Sequence, residues 1–371
     1  WQLRVNYLMN ISLDDKIHMI SGDQELTIFN TSPDTLKKLY YHLYFNAFQP
    51  GSDMDIRSRT IIDPDKRIGG RIATLKAEEM GYQKINKIAQ KGKSLNFKVE
   101  GTIMEVTLIE PIMPSDSEKI VINFEAQVPV QIRRTGRNNK EGVDYSMAQW
   151  YPKLCNYDLN GWHTPPYIAR EFYGPWGDFT VNIKLDEKYC IAATGYLQNS
   201  KECVWPLDSQ NRSGKKRVWQ FYAPMVHDFV WAADPDYIHD IYTRKDGKQL
   251  HFYYLKDNPY IKSWKDLPAI MDTALDYAQK HFGEYPYLSY SFIQGGDGGM
   301  EYPLATLITG NRPLHSLVGV CLHEWMHSWY QMLLASNESL YPWMDEGFTS
   351  YAEDLISNYI KSKGLLPGFK A

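Results

Sequence analysis

Residues 323–353 read HEWMHSWYQMLLASNESLYPWMDEGFTSYAE, and the rest of the chain must be folded around what they hold. They lie in a run rich in apolar and aromatic residues that reads as a buried helix from about 316 to 334. His323 and His327 are four apart, so one helical turn sets both imidazoles on the same face. Zinc accepts imidazole nitrogen and carboxylate oxygen, and a catalytic zinc uses three protein ligands with a fourth position left to water. Glu346, nineteen residues beyond His327, is the candidate third ligand, since a helix pair joined by a short loop returns its first turn toward the histidines. Glu324 is the candidate general base. The HExxH spacing alone arises by chance in about one or two such chains per hundred. A pair of satisfied core histidines would also explain it, and Glu346 could instead be an acid favoured by the dipole of a helix N-terminus, a role that suits Asp345 equally well.

Working outward, a second closing helix is expected from about 345 to 361. Upstream, 266–282 carries Pro268 near a helix start and Gly283 at its stop. Segments 288–294 and 304–309 read as strands on either side of a glycine-rich turn at 295–299. Before these the period changes. Leu3, Val5, Tyr7, Met9, Ile11 and Leu13 alternate as in a half-buried strand, similar runs recur at 39–45, 103–109, 120–124 and 179–185, and the one helix-period stretch is 71–90. The fold class is α+β, with a β-rich antiparallel domain over 1–242 and a catalytic domain over 243–371.

Length and composition agree with this division. The 371 residues exceed what one hydrophobic core usually serves. A net charge of −4, with Lys and Arg spread along the chain, gives no field for a polyanion, so nucleic acid is not an expected partner. The clusters at Lys215–Arg217 and at Arg133, Arg134 and Arg137 read as solvated hairpin loops. The four cysteines show no CxxC spacing; Cys190 and Cys203 could close a disulfide, or all four could be idle thiols. No apolar run approaches the roughly 20 residues of a membrane-spanning helix. The chain opens at Trp1 without Met, already in a strand pattern, and this start and the aromatic content lean toward an exported, periplasmic or envelope protein over a cytoplasmic one. Sequons at Asn10, Asn30, Asn211 and Asn337 do not decide that question.

HExxH followed by 18 residues and Glu resembles the zinc signature of the gluzincin M1 aminopeptidases. His327-Ser328-Trp329 and Glu346-Gly347-Phe348-Thr349-Ser350-Tyr351-Ala352-Glu353 are similar to that family's HxW and EGFAxYxE segments. Gly298-Gly299-Met300-Glu301-Tyr302 is similar to its GxMEN motif, with Tyr302 where the family has Asn. The resemblance implies an N-terminal β-sheet saddle or sandwich, then a thermolysin-like zinc peptidase domain holding one zinc ion. It implies peptide substrates with a free N-terminus, cleaved one residue at a time. Glu301 would pair with the substrate ammonium, and Gly298, Gly299, Met300 and Tyr302 would flank the substrate backbone. Glu353 would orient a zinc ligand. Ala148–Pro152 is similar to the family's segment facing the catalytic domain, with Gln149 its candidate substrate contact and Tyr151 where an acid or amide is common. M1 enzymes stabilise the oxyanion with a tyrosine roughly sixty residues past the third ligand, whereas 25 residues follow Glu346 here. The resemblance therefore implies an incomplete catalytic domain, with metal binding and poor activity expected of this stretch alone. Three alternatives stay open: an M1-like zinc endopeptidase, an epoxide hydrolase, and a catalytically silent binding scaffold.

Overall fold

The computed structural model describes residues 1–62, 65–168, 171–203, 205 and 215–366; the Asn211 sequon and the last five residues lie outside them. The chain divides into two compact units. The first comprises Trp1–Arg137, Met147–Lys188 and Tyr196–Phe229, and the second Asn138–Ser146, Tyr189–Gly195 and Val230–Ala371. The position 242/243, where the sequence reading divides the chain, falls within the strand Tyr237–Thr243 of the second unit.

Alternation builds the first unit. Along Arg4–Asp14, Val5, Tyr7, Met9, Ile11 and Leu13 are each at most 3% exposed while their neighbours face outward, as a pleated strand with one buried face requires. This strand pairs antiparallel with Met19–Phe29 and parallel with Trp176–Asp186, inside an eight-stranded sheet that also holds Lys216–Val226, Ser117–Gln127 and Tyr82–Gln90. A four-stranded sheet of Lys153–Leu154, Leu36–His42, Ile103–Ile112 and Asn96–Glu100 completes the β framework. The Leu154 amide donates to the Tyr7 hydroxyl at 2.9 Å, which ties the two sheets together.

Three sequence expectations are corrected here. Within 71–90 there is one turn of 3-10 helix at Ile72–Thr74, followed by the strand Tyr82–Gln90; pairing with Ser117–Gln127 overrides a weak helical period. Arg133 and Arg137 are buried, not solvated. Arg133 approaches Asp65 at 3.3 Å, and Arg137 donates to the carbonyl of Glu78. Lys216 and Arg217 begin a strand. All four cysteines are buried free thiols.

The second unit layers helices on a mixed sheet ordered Tyr237–Thr243, Gln249–Leu255, Ser289–Gln294, Ala305–Ile308, Gly299–Tyr302. Beyond a short helix of the first unit, α1 (Asp53–Thr60), the helices are α2 (Ile261–Phe282), α3 (Leu314–His327) and α4 (Pro342–Ser362). α2 starts five residues before its sequence-read start, so Pro268 lies inside it. Burial of Trp264 and Leu267, ahead of and beside the proline, outweighs the lost backbone hydrogen bond. α3 turns Leu317, Val318, Cys321, Leu322, Trp325 and Met326 into a core with Trp264, Tyr290, Phe292 and Ile356. After His327 the chain passes into a π-helical segment, Ser328–Leu333, rather than continuing as α-helix. α4 opens with Pro342 in its first turn, where a missing N–H costs nothing. No helix among the described residues is long and apolar enough to cross a membrane.

Candidate metal centre

The end of α3 and the start of α4 meet in the second unit. There the Nε2 atoms of His323 and His327 face each other at 3.4 Å, and Glu346 Oε2 stands 3.0 Å from the first and 3.9 Å from the second. A tetrahedral ion with bonds of about 2.0 to 2.1 Å has ligand-to-ligand edges of about 3.3 Å. The three separations bracket that value, so the donor set fits one zinc ion in spacing as well as in chemistry.

The outward ring nitrogens are also held. Glu353 lies 3.0 Å from His323 Nδ1, and Asp345 lies 2.6 Å from His327 Nδ1. A carboxylate that accepts the Nδ1 proton leaves the Nε2 lone pair facing the partner ring, the tautomer a metal requires. These acids also favour positive charge on the rings. Burial opposes the charge on His323, but hydrogen bonds to Glu346 and Glu353 outweigh it and push its pKa up to about 10. Burial likewise opposes the charge on His327, but Glu301 and Asp345 raise its pKa to about 9. An environment that binds protons this firmly favours a divalent cation for the same electrostatic reason.

Glu324 projects from α3 over the Gly299 backbone. A Cβ at Gly299 would run into the Glu324 carboxylate and stand 2.8 Å from Val320 Cγ2. Glu324 and Glu301 are each 6% exposed and group with His327, their ligand atoms lying within 4.8 Å of one another. Gly299–Tyr302 is the edge strand of the sheet, paired antiparallel with Ala305–Ile308, and Thr306 Oγ1 donates to the Met300 carbonyl at 2.8 Å. Gly298 precedes this strand with φ of +91°, in the left-handed region open to glycine. Met300 and Tyr302 are buried.

Gln149 belongs to the first unit. It is 1% exposed, and its amide donates to Asp228, which also accepts from Tyr151 at 2.9 Å and pairs with Lys153 at 2.8 Å. Its side-chain nitrogen is thus committed to a buried network inside that unit. Two residues that the sequence reading left without a site role stand at the metal centre. Asp345, 1% exposed, bonds His327, and Glu338, 2% exposed, groups with Glu301 and Asp345 within 4.8 Å. Asp345 had a signal, since it immediately precedes the candidate ligand; Glu338 had none, because its place depends on the loop between the two helices.

No family model matches the chain. It is 31% identical to mouse aminopeptidase B over 105 residues, and 33% identical to the human and rat proteins over 101. These matches take in 25–26% of this chain and 15–16% of the relatives, so the curated likeness is confined to a small part of those proteins. Solved structures extend the likeness to nearly the whole chain. An M1 zinc metallopeptidase from Deinococcus radiodurans superposes with a TM-score of 0.60 at 16% identity, covering 98% of this chain and 72% of that one. A mutant of the same enzyme bound to a Tyr-Ser-Ala substrate gives a TM-score of 0.58. The chain therefore takes the fold of the M1 zinc metallopeptidases: a β-rich first part and a portion of the catalytic domain. The resemblance carried by its motifs is met by its architecture.

Proposed function

We propose that this chain carries the metal centre of a zinc-dependent aminopeptidase of the M1 type. The observation that supports this best is the convergence of two imidazole nitrogens and one carboxylate at 3.0–3.9 Å, with both outward nitrogens held by acids. His323, His327 and Glu346 would hold one zinc ion. Once bound, the ion would supply Lewis acidity, polarising the scissile carbonyl and making water a nucleophile near neutral pH. Glu324 takes the proton of the attacking water on its carboxylate and delivers it to the leaving amine. No covalent enzyme intermediate is needed.

The substrate is a peptide with a free N-terminus. Its backbone lies along Gly299–Tyr302, the outermost strand of the sheet, as an extended peptide adds to a sheet. Glu301, buried beside the centre, pairs with the terminal ammonium; a blocked terminus would leave that carboxylate without its counter-charge. The mutant bound to Tyr-Ser-Ala supports the substrate class. We further propose a location outside the cytoplasm, to be checked by fractionating the native cells.

Two measurements test the reading independently. Metal analysis of the purified protein should give one zinc per chain, and a chain that stays metal-free in zinc-containing buffer refutes the centre. Aminoacyl amides should be cleaved in preference to N-blocked peptides, and the reverse preference would remove the role of Glu301 and favour an endopeptidase.

A further inference from the structure

In the first unit, Leu36–His42, Ile103–Ile112 and Asn96–Glu100 pair so that Tyr40 stands opposite Glu105 and Glu105 opposite Lys98. A phenol, a carboxylate and an ammonium thus line up across one face of the sheet. Tyr41 and Met104, on the opposite face, are buried. The row lines a cavity of about 510 Å3 together with Asp53, Glu100 and Thr164, a size typical of small-molecule sites.

An aromatic strip leads away from it. Tyr40 meets Trp162 at 5.4 Å, Trp162 meets Tyr157 at 5.1 Å, and Tyr157 meets Trp1 at 5.5 Å, with the rings tilted by 56°, 45° and 37°. All four rings retain solvent exposure, and Trp1 is 46% exposed. The Tyr157 hydroxyl donates to Asp34 at 2.8 Å, which pins the middle of the strip.

Two lysines pair with two of the three acids that line the cavity, and the third, Asp53, leaves it mildly negative. Lys38 lies 2.7 Å from Glu105 and Lys98 lies 3.0 Å from Glu100. Such a surface does not concentrate an anionic ligand. It does present closely spaced donors and acceptors, and exposed ion pairs of this kind are weak enough for ligand hydroxyls to compete with them. The adjoining rings offer apolar area with polar tips. A ligand that satisfies both features carries no negative charge, has hydroxyls on its edges and has an apolar C–H face.

We propose that this cavity and its aromatic strip bind a neutral oligosaccharide, one or more sugar rings in the cavity and the next stacked on Trp162 and Tyr157. The site belongs to the first unit and does not depend on the metal centre. The test is a titration of the whole protein with maltohexaose, cellohexaose and chitohexaose, followed by tryptophan fluorescence and by heat release. At least one should give saturable quenching. Trp162→Ala should weaken it by about tenfold or more, Glu105→Gln should weaken it without disturbing the fold, and Trp343→Phe, in the other unit, should leave it unchanged. No saturation with any of the three sugars overturns the proposal. So does unchanged affinity in both Trp162→Ala and Glu105→Gln, or binding of a proline-rich peptide at these rings without sugar binding.

Discussion

At the scale of single residues, the metal centre makes its functional groups separable. Glu324 lies beside the proposed zinc ligands without belonging to the His323, His327 and Glu346 set. Glu324→Gln should therefore keep one zinc per chain and lose turnover; a fully active variant would end its assignment as base. Asp345 and Glu353 act through the histidines they hold. Asp345→Ala or Glu353→Ala should weaken zinc by about 10- to 100-fold in competition with a chelator, and unchanged affinity in both would show that the outward nitrogens need no carboxylate. The two histidines were legible in the sequence because helical geometry turns a spacing of four into a shared face; Glu346 was picked out over Asp345 by the 18-residue gap of the resemblance, and the fold brings it 3.0 Å from His323. Gln149 was not. Its amide answers to Asp228, 79 residues away, and no local pattern announces such a partner.

At the scale of elements, two glycines mark close approaches that a side chain would break. A Cβ at Gly177 would collide with the backbone oxygen of Val5, where Trp176–Asp186 runs parallel to Arg4–Asp14. Gly177→Ala should lower the melting temperature, with a cost of about 1–3 kcal/mol from the forced backbone shift. Gly299→Ala should instead displace Glu324, reducing kcat more than it changes KM while zinc content stays at one. Strong periods were readable at this scale: the alternation of 3–13 gave a strand, and the apolar run read as a helix from about 316 to 334 is α-helical over 314–327 and π-helical beyond. The stretch 71–90 was misread, because a strand in the interior of a sheet takes its conformation from its neighbours.

At the scale of the whole molecule, four histidines are held neutral, His42 and His227 buried and His239 and His251 half-buried. Burial, reinforced by Lys153, holds His42 and His227 down to about 3. Burial, together with His251, holds His239 to about 3, and burial alone holds His251 to about 4. Each takes its proton near 6.5 in the unfolded chain, so the unfolded state binds more protons below that pH. The stability from these neutral rings is complete above about pH 6.5 and is lost as pH falls toward their folded values. Denaturant midpoints measured between pH 6.5 and 4.5, where His323 and His327 are protonated in both states, should therefore fall, and a flat profile would contradict the neutral state of these four rings. Chelation should lower the melting temperature as well, since zinc held at the proposed centre would add its binding free energy to folding; calorimetry with and without chelator reads this directly.

The sequence by itself determined the local facts: which segments alternate, which turn as helices, and which two imidazoles share a face, because these follow from backbone periods of two and 3.6 residues. Only the tertiary structure decided which acids close around those imidazoles, that Gln149 turns to Asp228, and that short segments near 140 and 190 join the second unit. These depend on contacts between residues far apart in the chain, set by which apolar faces pack together, and a linear pattern carries no record of that choice.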